Sequence, residues 1–159
     1  VICRHLGIPE HVVESALKDF NSPPSRLNLL ELPGMTVIDD TWNANPLSMK
    51  LGLDTLLETA KDKGRRLAIL GFMAELGTDG PRFHQEIGLY ARNRADVLVG
   101  VGDLGKYYNP DFWFESSEAC VEGIDVLVRR DDCLLIKGSH SAHMWKVVDK
   151  LRQIAEQRV

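Results

Sequence analysis

Cysteine is scarce in this sequence. Cys3, Cys120 and Cys133 are odd in number and widely separated, with no paired metal spacing. That pattern excludes a disulfide scaffold and a zinc module, and leaves reduced thiols in a cytoplasmic protein as the expectation. No apolar run approaches the ~18 residues that a membrane helix needs, and no signal peptide opens the chain. Positive charge is not in excess either. With 19 Lys and Arg against 23 Asp and Glu, the net charge is −4. Such a surface offers no general attraction to nucleic acid, so any phosphate site must be local. An initiator Met is missing too; the chain opens Val1-Ile2-Cys3, as expected of a piece of something longer. What is present is the composition of a globular domain, 44% hydrophobic and 26% charged. The length suits one domain plus a short appendage.

Pro9 starts a helix on whose face Val12, Val13, Ala16, Leu17 and Phe20 recur. Asn21-Ser22-Pro23-Pro24-Ser25 breaks it and reads as a linker. Residues 1–22 are therefore expected to be a helical tail of a preceding domain or a linker, with residues 23–159 the domain proper. Strands are expected at 27–32 and 35–38, around the Pro33-Gly34 turn, and at 67–70, 97–101, 112–114 and 133–136. Between them lie helical faces, such as Met49-Leu53-Leu56-Leu57-Ala60 and Phe83-Ile87-Tyr90-Ala91. Two more follow at Cys120-Ile124-Leu127-Val128 and Met144-Val147-Val148-Leu151-Ile154. Short apolar strands alternating with amphipathic helices predict an α/β fold. The expectation is a Rossmann-like three-layer domain with a mostly parallel sheet of about six strands, one of them antiparallel near the N-terminus.

In such sheets ligands bind beyond the carboxyl ends of the strands. Those ends carry Asp39-Asp40-Thr41-Trp42-Asn43-Ala44-Asn45-Pro46, Gly71-Phe72-Met73-Ala74-Glu75, Gly102-Asp103-Leu104-Gly105 and Lys137-Gly138-Ser139-His140-Ser141. One edge would then hold carboxylates, amides, a lysine, hydroxyls and a histidine, a set suited to an anion and an amine. Capping needs one polar residue, whereas 39–46 has four, so capping alone does not account for that segment. Trp42 reads as a packing residue, Ser139 or Ser141 as a cap for the last helix, and His84 as a packed histidine. Lys137, at the end of an apolar strand, must reach water or meet a carboxylate or phosphate. His140 and His143 lack a third metal ligand nearby. The run Gly100 to Lys106 imitates two phosphate loops, but Pro110 follows too soon for the helix such loops require.

Taken together, these segments resemble the C-terminal domain of the Mur ligases, and most closely the branch that joins D-Ala-D-Ala to UDP-N-acetylmuramoyl-tripeptide. The family's D-D-[SC]-Y-N-A-N-P is matched by Asp39 to Pro46 with Trp42 for the tyrosine. G-D-M-x-E-L-G is matched by Gly71 to Gly77 with Phe72 for the aspartate, and H-x-E-[VI]-G by His84 to Gly88. K-G-S-R-x-x-x-M-E is matched by Lys137, Gly138, Ser139 and Met144, with His140 for the arginine and Trp145 for the glutamate. The resemblance covers roughly residues 24–155, in order and spacing.

It implies one domain of an ATP-dependent amide-bond ligase of peptidoglycan precursor synthesis. ATP and Mg2+ would be held mainly by a central domain, whose phosphate loop this sequence lacks, so the fragment alone should not turn over. Its partners would be its own N-terminal and central domains, UDP-MurNAc-tripeptide and D-Ala-D-Ala, with no nucleic acid and no membrane. The resemblance places Arg26 and Asp40 on the nucleotide, with Asn43 and Asn45 supporting that loop. It places Glu75, Lys137, Ser139 and His140 toward the dipeptide. Phe72 removes a carboxylate, and His140 gives up arginine's bidentate clamp. The acceptor amine therefore stays open, as does the activity of the full-length protein. Two rivals are a phospho-receiver module, on the Asp39-Asp40 pair and Lys137, and a nicotinamide-dependent oxidoreductase, on the 100–105 glycines.

Overall fold

The structure, a computed structural model, describes residues 2–18, 23–61 and 64–158. Phe20 and the Asn21-Ser22 half of the expected linker lie outside these. Helices α1 (Ile2–His5) and α2 (Glu10–Lys18) bury none of their residues, and Val12 and Leu17 stand exposed. They add nothing to the core of the sheet.

Strands β1 (Asn28–Leu32) and β2 (Met35–Asp40) form the expected hairpin, with Leu32 opposite Met35. Helix α3 (Pro46–Thr59), β3 (Arg66–Leu70), α4 (Gly80–Ala91), β4 (Val97–Val101) and β5 (Phe112–Phe114) follow. Helix α5 (Ser117–Gly123), β6 (Asp132–Lys137) and α6 (Trp145–Glu156) complete the chain. The sheet order is β1-β2-β6-β3-β4-β5; β1 runs antiparallel to β2 and every other pair is parallel. This is the α/β architecture expected from the alternation of apolar strands and amphipathic helices.

The period of two along each strand divides the core into two. Val37, Leu67, Ile69, Val99, Leu134 and Ile136 face α5 and α6. Ile38, Ala68, Leu70, Leu98 and Leu135 face α3 and α4. Leu134 and Leu135 are fully buried neighbours on β6 that serve opposite cores. Truncating either to Ala is expected to cost ~2–5 kcal/mol.

The sheet's two edges differ in chemistry. At the amino edge, Arg65 grips Asp132 through Nε (3.2 Å) and Nη2 (3.0 Å) and also donates to the Leu127 carbonyl. Arg66 pairs with Asp96 in the same region. The carboxyl edge gathers the loops after β2, β3, β4 and β6.

Candidate functional site

The loop after β2 is built around a buried ion pair. Asp40 and Lys137 are register partners on β2 and β6, and both turn toward the α3 side. Lys137 Nζ lies 2.6 Å from Asp40 Oδ2 and 2.8 Å from the Asn43 carbonyl, and the lysine is 1% exposed. Burial draws its pKa below that of an ordinary lysine, against the opposing pull of Asp40. Helix α3 makes room for it with Gly52, where a Cβ would stand 3.2 Å from Lys137 Cδ. A glycine inside a helix is destabilising, and here it admits the lysine stem. Of the two fates open to Lys137, the structure shows the carboxylate.

The other polar groups of 39–46 are also engaged. Asp39 accepts from the Thr41 backbone N–H (3.2 Å), the Thr41 hydroxyl (2.7 Å) and the Ser25 hydroxyl (3.2 Å). Asp40 Oδ1 accepts from the Leu27 N–H, and Trp42 N–H donates to the Ser25 carbonyl, which straps residues 25–27 onto the loop. Asn45 caps α3 through the Ser48 N–H (2.9 Å), with Ser48 reciprocating and Pro46 in the first turn. Capping therefore accounts for Asn45 alone, as expected; Asp39, Asp40 and Asn43 take other partners, in Thr41 and Ser25, Lys137 and Leu27, and Ala44. What the loop leaves outward is Arg26, Trp42 and the side chain of Asn43, all exposed. Together with Asp40, Asn45 and Lys137 they line a cleft of about 260 Å³. The four residues expected at the nucleotide thus converge, and Lys137 joins them rather than Glu75.

The loops after β3 and β6 lock together. Ser139 Oγ accepts from the Ala74 N–H (2.8 Å), and Ser139 N–H donates to the Phe72 carbonyl (3.0 Å). Ser139 therefore does not cap the last helix, and α6 begins after Met144 with no side-chain cap. Glu75 is exposed on this loop at φ 63°. Phe72 packs against the α5–α6 core, its ring 3.2 Å from where a Cβ of Gly102 would be. A packing ring therefore fills the motif's aspartate position, beside a second cleft of about 190 Å³ that includes Ser116, Ser141 and His143.

His140 sits elsewhere on the edge, in a run of rings. Arg26 lies over Trp42 (5.4 Å), and Trp42 meets His140 edge-on (5.2 Å). His140 meets Trp145 (5.1 Å), which meets His143 (4.8 Å). Trp42 is 48% exposed, so it is an edge residue and not the packing residue the sequence suggests. Trp42, His140 and Trp145 all depart from the motifs, and they are spatial neighbours. Their shared departure was the signal in the sequence.

The glycine run at 100–105 is a turn. A Cβ on Gly100 would fall 2.3 Å from the Gly105 carbonyl oxygen, so the two glycines exist for close backbone approach. The chain then enters a 3-10 turn over Asp103–Tyr108 and not the α-helix a phosphate loop needs. That removes the basis of the oxidoreductase reading. The buried pairing of Asp40 with Lys137 and the triple bonding of Asp39 also leave neither aspartate of that pair free for a phospho-receiver. Among the described residues no group of three or more His, Cys, Asp or Glu could hold a metal ion. No described helix is long and apolar enough to cross a membrane.

Sequence reading passed over two buried groups. His84 is fully buried and bonded at both ring nitrogens, and the Tyr108 hydroxyl donates to the Gly71 carbonyl (2.8 Å). Both hold the loop after β3; His84 opens the matched H-x-E-[VI]-G segment, whereas Tyr108 lies in no motif.

Comparison with known proteins agrees with this geometry. The profile of the family described as Mur ligase, glutamate ligase domain, matches residues 25–140. The UDP-N-acetylmuramoyl-tripeptide–D-alanyl-D-alanine ligase of Mycobacterium tuberculosis is 50% identical over 147 residues, covering 74% of this chain and 29% of that protein. The ligase of the same name from Buchnera aphidicola is 31% identical over 154 residues, covering 92% of this chain and 33% of that protein. This chain thus spans about a third of the length of such relatives. The crystal structure of a Thermotoga maritima MurF ligase with ADP shares the fold, with a TM-score of 0.83 at 24% identity over 99% of this chain and 37% of that one. The matched segment runs from the strap before β1 to the loop after β6 and contains both halves of the edge described above: the chain belongs to the Mur ligase family, as its glutamate ligase domain.

Proposed function

We propose that this chain is the C-terminal domain of an ATP-dependent ligase that joins D-Ala-D-Ala to UDP-MurNAc-tripeptide in peptidoglycan precursor synthesis, in the cytoplasm. The observation that carries this reading is the meeting of Arg26, Asp40, Asn43, Asn45 and Lys137 in one cleft at the carboxyl edge. That cleft, about 260 Å³, is smaller than the ~300–1,000 Å³ of a complete ligand pocket, which fits one wall of a site shared with another domain. Its chemistry fits part of a nucleotide. Arg26 offers the exposed cation, Asn43 an amide, and Trp42 an aromatic face. Lys137 is committed to Asp40, so it sets the shape of the cleft and does not grip a phosphate. Mg2+ would be held mainly by the central domain.

When bound, ATP supplies the phosphoryl group that activates the tripeptide carboxylate. The residues of this chain orient the nucleotide and bring the acceptor amine within reach, so their contribution is positioning and charge. Glu75 and His140 stand on the acceptor side, with Ser139 fixing the loop between them. The carboxyl edge would close over the nucleotide as a lid, excluding water from the activated carboxylate. With Phe72, His140 and Trp145 in place of charged motif residues, recognition of the acceptor relies less on ionic clamps than the motif does.

The full-length protein tests this reading. Incubated with ATP and Mg2+, it should release phosphate only when both UDP-MurNAc-tripeptide and D-Ala-D-Ala are present, and the pentapeptide product should appear by mass. Phosphate release that ignores the dipeptide, or a different amine in the product, would overturn the assignment.

A further inference from the structure

The loop after β3 has no charged side chain before Glu75, yet its backbone is fastened residue by residue. Gly71 N–H donates to the Lys137 carbonyl (2.7 Å), and the Gly71 carbonyl accepts from Tyr108. Phe72 and Ala74 are tied to Ser139. Between them, the Met73 N–H donates to His84 Nε2 (2.9 Å). Glu75 follows in the left-handed region, a conformation a non-glycine residue keeps only when its surroundings impose it.

The hydrogen-bond roles of His84 are forced. Its Nδ1 lies 2.6 Å from the Gly80 carbonyl, which can only accept, so Nδ1 carries the proton. The Met73 N–H can only donate, so Nε2 presents its lone pair. Both partners are satisfied by the neutral Nδ1–H tautomer and by no other state. Burial pushes the pKa of His84 below that of an ordinary histidine, which favours that neutral state. The Tyr108 ring lies 4.9 Å away, and the Tyr108 hydroxyl holds the start of the same loop.

We propose that His84 is a positioning residue: as the neutral Nδ1–H tautomer it holds the Met73 N–H, and so aims Glu75 at the ammonium group of the acceptor. The second half rests on the ligase reading above; the tautomer and the Met73 bond do not. Glu75 acts there as an exposed carboxylate that attracts the amine before it is deprotonated for attack, and His84 touches no substrate.

Two substitutions separate the ring's nitrogens. His84→Gln places an amide oxygen near the position of Nε2 and can keep the Met73 bond; His84→Asn places its amide near Nδ1 and keeps only the Gly80 bond. In the full-length protein, His84→Asn should raise the KM for the dipeptide about tenfold, the scale of one hydrogen bond, and leave the KM for ATP unchanged. His84→Gln should stay within about twofold of the parent on both. In the 159-residue chain, Met73 amide exchange should quicken in His84→Asn and not in His84→Gln. Equal behaviour of the two variants, or equal changes in both KM values, would mean that His84 merely packs. Nitrogen-15 spectra of the unmutated chain give a test that needs no variant. A protonated Nδ1 with a bare Nε2 is expected at neutral pH, and a proton on Nε2 overturns the proposal. If the parent protein fails to ligate at all, the ligase reading falls, while the exchange and tautomer results still decide the Met73 bond.

Discussion

The two loops that meet at Lys137 and Ser139 are held in opposite ways. The loop after β2 is dense in polar side chains and is anchored through them: Asp39 binds Thr41 and Ser25, Asp40 binds Lys137, and Asn45 caps α3. The loop after β3 is nearly bare of such groups and is held from outside by His84 of α4, Tyr108 of the 3-10 turn, and Ser139. The first makes its own shape and leaves a few exposed groups for a ligand. The second takes its shape from the core, so that one carboxylate, Glu75, stands where the core puts it. Visible polarity in a strand-end loop therefore measures how the loop is built as much as what it binds.

Breaking the self-made loop should have the largest effect. Lys137→Met leaves the Asp40 carboxylate buried without its partner, which is expected to cost ~3–5 kcal/mol in denaturant unfolding. Adding Asp40→Leu should restore part of that loss, because both charges are then gone. A double variant as unstable as the sum of the singles would show that the pair is not the loop's organiser.

The externally held loop should respond more mildly. Tyr108→Phe keeps the ring and orphans the Gly71 carbonyl, for an expected loss of ~1–2 kcal/mol. No change in melting temperature would remove Tyr108 from the account. His84 gives the same loop a pH dependence. Its folded pKa lies below the unfolded value of 6.5, so below that pH the unfolded chain binds more protons. Its contribution is full above pH 6.5 and is lost as pH falls toward the folded pKa, with a slope of up to ~1.4 kcal/mol per pH unit. His84→Gln should flatten that part of the stability curve, and an unchanged slope would contradict the assignment. The smallest effect belongs to the cap: Asn45→Ala should cost ~1 kcal/mol, and a loss near zero would mean that Pro46 and Ser48 start α3 without it.

The fold was legible because its determinants are local. The short apolar runs of β2 and β6 and the helical spacing of residues such as Leu53 and Leu56 predict the layers, and the strand ends predict the edge. The convergence of Arg26, Asp40, Asn43 and Asn45 was legible too, in their motif positions, since the four meet in one cleft. What stayed hidden depends on distance through the fold. Nothing near Lys137 in sequence reveals that its partner is 97 residues away. His84 reads as packing, and Tyr108 draws no reading at all, because their polar atoms are satisfied by backbone groups that the sequence pattern does not reveal. Ser139 or Ser141 was expected as a cap because a serine before a helix usually caps it, whereas the Ser139 hydroxyl serves Ala74 and α6 has no side-chain cap.

The most direct test compares the two loops in the full-length protein through substitutions that leave the core alone. Arg26→Ala removes an exposed cation from the first loop's cleft, and Glu75→Ala removes the exposed carboxylate of the second. Arg26→Ala should raise the KM for ATP about tenfold and spare that for the dipeptide, while Glu75→Ala should do the reverse. If neither constant moves, or each variant moves both alike, the edge is not divided between nucleotide and acceptor as described.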